Sequence, residues 1–169
     1  MSACMRATIF SPCRQYRYTL WREWDMFNPT YLQVIGLNPS TADETHDDPT
    51  IRCCITLAKS WGYGGLCMTN LFAYRSTDPR YLRQCAMPIG LDNDAWIDQV
   101  AGMASLVLAA WGTGGGYLNR DRDVLRRMGW PLVCLGVTKD GYPRHPLYVR
   151  RDQQPIPYVH TILDREAGG

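Results

Sequence analysis

Short apolar runs alternate along the chain with segments whose apolar residues recur at helical spacing, and turn-forming residues separate the two kinds. Residues 31 to 37, YLQVIGL, predict a first buried strand. The pair Asp48-Pro49 predicts an N-cap followed by proline in the first turn of a helix, on which Ile51, Cys54, Ile55, Ala58 and Trp61 share one face. GYGG at 62 to 65 ends that helix, and LCMTNLF predicts a second strand. STDPRYLRQC then predicts a loop with a short capped helix. A helix near 92 to 103, the strand SLVLAAW (105 to 111), a glycine-rich turn, a helix near 117 to 128 and the strand PLVCLGV (131 to 137) complete the pattern. Residues 14 to 24, RQYRYTLWREW, alternate as a half-buried strand does and are assigned to a sheet edge or flap.

Strands apolar on both faces and alternating with helices predict a three-layer α/β/α sandwich around a mainly parallel four-stranded sheet. In such a sheet, ligands bind beyond the carboxyl ends of the strands. The four turns there are GLNPST, TNLFAYRSTD, WGTGGG and TKDGYPRHPLY.

At 169 residues with no break in composition, the chain is expected to form one domain. Residues 1–25 form an N-terminal strand or hairpin extension, 26–160 the core and 161–169 a tail. No apolar run approaches the roughly 18 residues that span a bilayer, so a soluble, cytoplasmic protein without a membrane partner is expected. Seven cysteines without a CxxC pair fit reduced thiols better than disulfides or a zinc ribbon, and no histidine pair has metal-ligand spacing. Neither a metal nor another cofactor is expected, and no obligate protein partner is indicated. The net charge of +2 announces no polyanion partner, but 16 of the 18 basic residues are arginine, the side chain suited to bidentate phosphate contact.

Each polar turn also has an ordinary structural explanation. Asn38 can cap a turn, Asn70 can satisfy local backbone, and WGTGGG lacks the lysine of a nucleotide-binding loop. His145, stiffened between Arg144 and Pro146, is the histidine with the most distinctive setting. Asp43, Asp47 and Asp48 cap and solvate, or one of them orients water or balances an arginine. No GxSxG elbow supports a nucleophile.

The ordered motifs GLNPSTAD, DDPTIRCC, WGYGG, NLFAYRSTDP, AWG and RHPLYV resemble, over residues 14 to 158, a bacterial and phage family classed as a domain of unknown function. More distantly, four of them resemble the uracil-DNA glycosylase superfamily. That resemblance implies a DNA glycosylase fold in which Asn38 of GLNP positions the hydrolytic water, Asn70 reads a flipped base, and His145 stabilises the departing base. It also implies DNA as partner, with Arg144, Leu147, Tyr148 and Arg150 of the final loop and Gly114 and Gly115 of the glycine turn placed against it. Ser40 stands where strict uracil enzymes carry a tyrosine, leaving room for a 5-substituent. Leu147-Tyr148 replaces their Ser-Pro. Phe72 and Tyr74 join Trp61 and Tyr63 as candidates to stack on the base. Neither Lys59 nor Lys139 falls in the water-positioning turn, so hydrolysis without a lyase step is expected. A non-catalytic base- or nucleotide-binding module and an enzyme acting on free nucleotides are the alternatives.

Overall fold

The computed structural model describes residues 5–129 and 131–159. The tail 161–169, His160 and Cys4 lie outside the described residues. Seven strands form one mixed sheet: β1 (Arg6–Phe10), β2 (Arg17–Glu23), β3 (Tyr31–Gly36), β4 (Gly65–Asn70), β5 (Leu106–Ala109), β6 (Val133–Cys134) and β7 (Ile156–Pro157). Their spatial order is β1-β2-β4-β3-β5-β6-β7. The run β4-β3-β5-β6 is parallel, and β1, β2 and β7 add antiparallel pairings at its sides.

Seven strands rather than four correct the expected sheet. The segment 14 to 24 is not its edge: β2 pairs with β1 on one side and β4 on the other. The edge position belongs to β1, whose five residues are too short and too evenly mixed to announce a strand.

Helices cover both faces. Asp48 Oδ1 accepts from the Ile51 N–H at 2.9 Å and caps α1 (Pro49–Ser60). The buried Ile51, Cys54, Leu57 and Ala58 of α1 pack on Leu32, Val34, Leu66, Met68 and Leu108. These strand residues stand in register, Leu32 opposite Leu66 and Leu106, Val34 opposite Met68 and Leu108, and so form rows on one face. The intervening positions face α2 (Pro79–Gln84), α3 (Asn93–Ala101) and α4 (Arg120–Arg127) through a second core that includes Ile35, Val107, Ala109, Leu82, Ile97 and Val124. The helix expected near 117 starts at Arg120. Residues Gly112–Asn119 instead wind as tight 3-10 turns, with Leu118 and Asn119 in the left-handed region at φ 55° and 54°.

The chain leaving β3 makes a long acidic excursion, residues 38 to 48, before α1. It is held from the N-terminal hairpin. Arg17, 2% exposed, donates from Nη1 to the Ala42 carbonyl at 2.9 Å. Burial lowers its guanidinium to about 10, which leaves it charged at neutral pH. Arg22 donates to Asp47 Oδ1 at 2.8 Å and to the Asp43 carbonyl, and Arg6 reaches Asp47 at 2.9 Å and the Thr45 carbonyl at 3.3 Å. Arg14 pairs with Glu44 at 3.0 Å. Backbone N–H groups of Thr45 and His46 converge on Asp43 and hold its carboxyl well below the usual carboxylate range.

The two arginines that share Asp47 differ in exposure, 3% for the Arg22 side chain and 38% for Arg6. Arg22→Ala is expected to lower the unfolding free energy by about 2–4 kcal/mol in urea titration, because it removes the buried partner of Asp47, leaving only the more exposed Arg6, and takes the guanidinium donor from the Asp43 carbonyl. Arg6→Ala is expected to cost less than about 1 kcal/mol. Equal losses would contradict this account of the clamp.

Candidate active site

The site grows from the carboxyl ends of β3, β4 and β5. Gly36 stands opposite Asn70 in the β3–β4 register. A Cβ on Gly36 would come within 2.8 Å of Asn70 Oδ1, so glycine is what lets the asparagine side chain lie against the neighbouring strand. Two residues on, Asn38 donates from Nδ2 to the Ser76 carbonyl at 3.0 Å and to the Pro39 carbonyl at 3.2 Å. The Ser76 N–H returns a bond to the Pro39 carbonyl at 2.9 Å. This lacing fixes the amide, with Oδ1 accepting from no described residue. The O and N ends are assigned from that network.

The chain after β4 is pinned just as firmly. Asn93 Nδ2 donates to the carbonyls of Asn70 and Leu71, and Arg120, 2% exposed, adds a bond from Nε to Leu71 at 2.8 Å. Asn70 is 1% exposed and its Nδ2 has no hydrogen-bond partner. An unpaired buried donor of this kind costs roughly 1–3 kcal/mol. Phe72 is fully buried, its ring centroid 5.5 Å from that of Tyr117, and offers no open face to a ligand. Tyr74 is half-buried.

Beyond β5, the glycine turn is shaped by packing. A Cβ on Gly115 would lie 2.1 Å from Trp111 Cδ1, and one on Gly114 would lie 2.6 Å from Leu37 Cδ2. Gly112 adopts φ +68°. The backbone therefore lies directly on the buried indole and on the turn after β3.

His145 enters from the last loop. Its Nδ1 accepts from the Leu147 N–H at 3.2 Å, which places the proton of the neutral ring on Nε2. Burial lowers the imidazole below its ordinary value of 6.5, and the charge of Asp48 offsets this only in part. The ring is thus a neutral donor, with no described residue accepting from Nε2.

Three recesses hold most of the residues singled out from sequence. A cleft of about 560 Å³ is lined by His145, Arg144, Tyr148, Gly114, Leu37 and Trp111, with Arg83 and Thr138 contributing as well. A second recess, of about 430 Å³, takes Ser40 and Tyr74 with Thr41, Ser76 and Thr77. Leu147 and Arg150 line a third, of about 390 Å³, against α1. Asn38 itself lines none of them; its neighbour Leu37 lines the first and its hydrogen-bond partner Ser76 the second. Asn70, Phe72 and Gly115 also line none of the three; they are buried in the protein.

Arg83 was not among the expected site residues. It sits on α2 with its guanidinium 5.3 Å from the Tyr117 ring centroid, and only the short capped helix after Asp78-Pro79 hints at its placement. Among the described residues, no group of three or more His, Cys, Asp or Glu side chains converges as metal ligands, and no helix is long and apolar enough to cross a membrane.

Gly115→Ala is expected to destabilise the fold by about 1–3 kcal/mol or more through collision with Trp111, whereas Gly129→Ala, with open space at its Cβ, is expected to be near neutral in the same thermal unfolding assay. His145 gives a pH signature. Its folded-state value is lowered, so the unfolded chain binds more protons as pH falls below 6.5, and stability should fall through that window. The His145→Ala variant should lose this part of the pH dependence; an identical pH profile in both proteins would contradict the neutral, half-buried imidazole.

Searches of curated proteins and of solved structures each returned no match. A family model matches residues 17–147, a span that begins at the buried Arg17 and contains Asn38, Asn70, Trp111 and His145. By that match the chain belongs to the family described as a protein of unknown function (DUF1643).

Proposed function

We propose that this protein is a monofunctional DNA glycosylase that hydrolyses the N-glycosidic bond of a modified pyrimidine, bulky 5-substituted phage-type bases included, with defence against phage as its use. The observation that carries the proposal is His145. A neutral imidazole, with its proton on Nε2, lines a cleft that also takes in Leu37, the neighbour of Asn38.

The chemistry needs two fixed dipoles more than a strong nucleophile. A water held on Asn38 Oδ1 adds to C1′ of the sugar as the bond from C1′ to the base nitrogen breaks. The bonding electron pair leaves with the base, where a hydrogen bond from His145 Nε2–H stabilises it, and the water's proton passes to solvent. Ser40, Tyr74 and the hydroxyls beside them offer space for a 5-substituent. The unpaired Nδ2 of Asn70 is a donor suited to a base edge, and the burial of Asn70 and Phe72 means that base recognition by either requires the segment after β4 to shift.

A base in a duplex has to be flipped out, at a cost of a few kcal/mol that is lowest for single-stranded or mismatched sites. Leu147 and Tyr148, 46% and 79% exposed, would fill the vacated stack, and Arg144 and Arg150 would meet phosphates. A non-catalytic base-binding module is the second reading, favoured by the use of Asn38 Nδ2 to tie two turns together, a structural task that needs no reaction.

In single-turnover base release from DNA carrying 5-substituted pyrimidines, Asn38→Ala and His145→Ala are each expected to slow release by roughly 10²–10³-fold. The wild-type rate should hold at neutral pH and fall once His145 protonates below 6.5, because a proton on Nδ1 displaces the Leu147 N–H. Full release by both variants would remove this mechanism. Unchanged ligand affinity in Asn38→Ala, with no product from any protein, would favour the binding module.

A further inference from the structure

The third recess has no part in holding a base. One wall is α1, through Pro49, Arg52, Cys53, Thr56 and Leu57; the other is the segment just after His145, through Pro146, Leu147, Val149, Arg150 and Arg151. Three exposed arginines therefore border a groove of about 390 Å³, within the ~300–1,000 Å³ range of small-ligand sites. Their charges are unequally committed. Arg150 pairs with Asp152 at 3.0 Å. Arg52 gives Nη1 to the Asp47 carbonyl and keeps its other donors. Arg151 makes no hydrogen bond or ion pair with a described residue, and its charge acts on Cys53 across the groove. No carboxylate lines the recess.

The groove and the cleft lie back to back on one short loop. His145 and Tyr148 line the cleft, while Pro146 and Leu147 line the groove. The loop is stiff. It forms a 3-10 turn over Pro146–Tyr148, the Tyr148 N–H donates to the His145 carbonyl at 3.0 Å, and Cys53 Sγ lies 3.6 Å from the Pro146 carbonyl.

We propose that this groove is a phosphodiester site, with Arg52 and Arg151 as its cations, which takes the strand adjoining the nucleotide whose base occupies the cleft. This rests on the DNA reading of the cleft. A mononucleotide seated at His145 carries its single phosphate on its own sugar, whereas a strand passing over Leu147 presents a further phosphate to the far side of the loop. The protein would accordingly read a base and a neighbouring backbone position together, and prefer an oligonucleotide to a free nucleotide.

The test is the salt dependence of binding to a fluorescent single-stranded oligonucleotide of unmodified bases, which separates it from catalysis. Each phosphate contact contributes about 0.7 to the slope of log K against log salt for single strands. The Arg52→Ala/Arg151→Ala double variant is expected to lose about 1.4 from that slope and to bind roughly tenfold or more weakly at low salt. Arg151→Glu, at an exposed side chain without partners among the described residues, should show the same direction, so the result does not depend on the Arg52 contact with Asp47. Arg127→Ala, in the Asp98 pair between α3 and α4, should leave the slope unchanged. An unchanged slope in folded Arg151→Glu would overturn the proposal. So would an equal loss of affinity for a deoxynucleoside monophosphate, which would make the groove a site for free nucleotides. Absence of base release from every DNA, with the slope change intact, would instead count against the glycosylase reading alone.

Discussion

Backbone groups that leave a buried sheet need new hydrogen-bond partners, and in this protein side chains from distant elements supply them. Asn93 and Arg120 take the carbonyls of Asn70 and Leu71 at the end of β4. Arg17 and Arg22 take those of Ala42 and Asp43 in the excursion after β3, and Asn38 takes those of Pro39 and Ser76. The same constraint at the last loop gives His145 its tautomer, since its Nδ1 accepts the Leu147 N–H. Loops at the carboxyl edge of a parallel sheet are rigid here because their polar backbone is satisfied by side chains that are buried, as Arg17, Arg22, Asn93 and Arg120 are, or half-buried, as Asn38 and His145 are.

That rigidity is what chemistry by preorganised dipoles requires. An amide whose Nδ2 is fixed presents Oδ1 in one direction. A neutral imidazole with one committed nitrogen presents the other as a donor. Burial keeps the ring uncharged, although Asp48 stands near enough to favour the cation. Asp48 is itself engaged as the cap of α1, so one carboxylate links the helix start, the acidic excursion and the histidine loop.

Much of this frame is legible in the chain. The strand over 31 to 37 and the cap at Asp48-Pro49 follow from apolar pattern and capping chemistry, and both are present in the fold. Strand β1 is not legible, because its five residues gain their order from pairing with β2, and neither is the two-residue β7. The apolar run 131 to 137 overstates β6, which pairs with β5 only where Leu108 meets Val133. At the site, the stiff setting of His145 is visible in Arg-His-Pro, and the option that the acidic cluster balances an arginine is realised at Asp47 by Arg6 and Arg22. The burial of Asn70 and Phe72 is hidden, because a polar residue ending a strand looks like a surface residue until α3 and α4 close over it. Thr138 opens the last of the four expected turns, whereas Arg83 reaches the cleft by tertiary folding alone.

The most direct measurement is joint quantitation of free base and abasic sites in one incubation of the protein with DNA rich in 5-substituted pyrimidines. The account predicts that both appear together, one abasic site for each base released, without strand cleavage by the protein. DNA that is bound but yields neither product, whatever its pyrimidines, would contradict it.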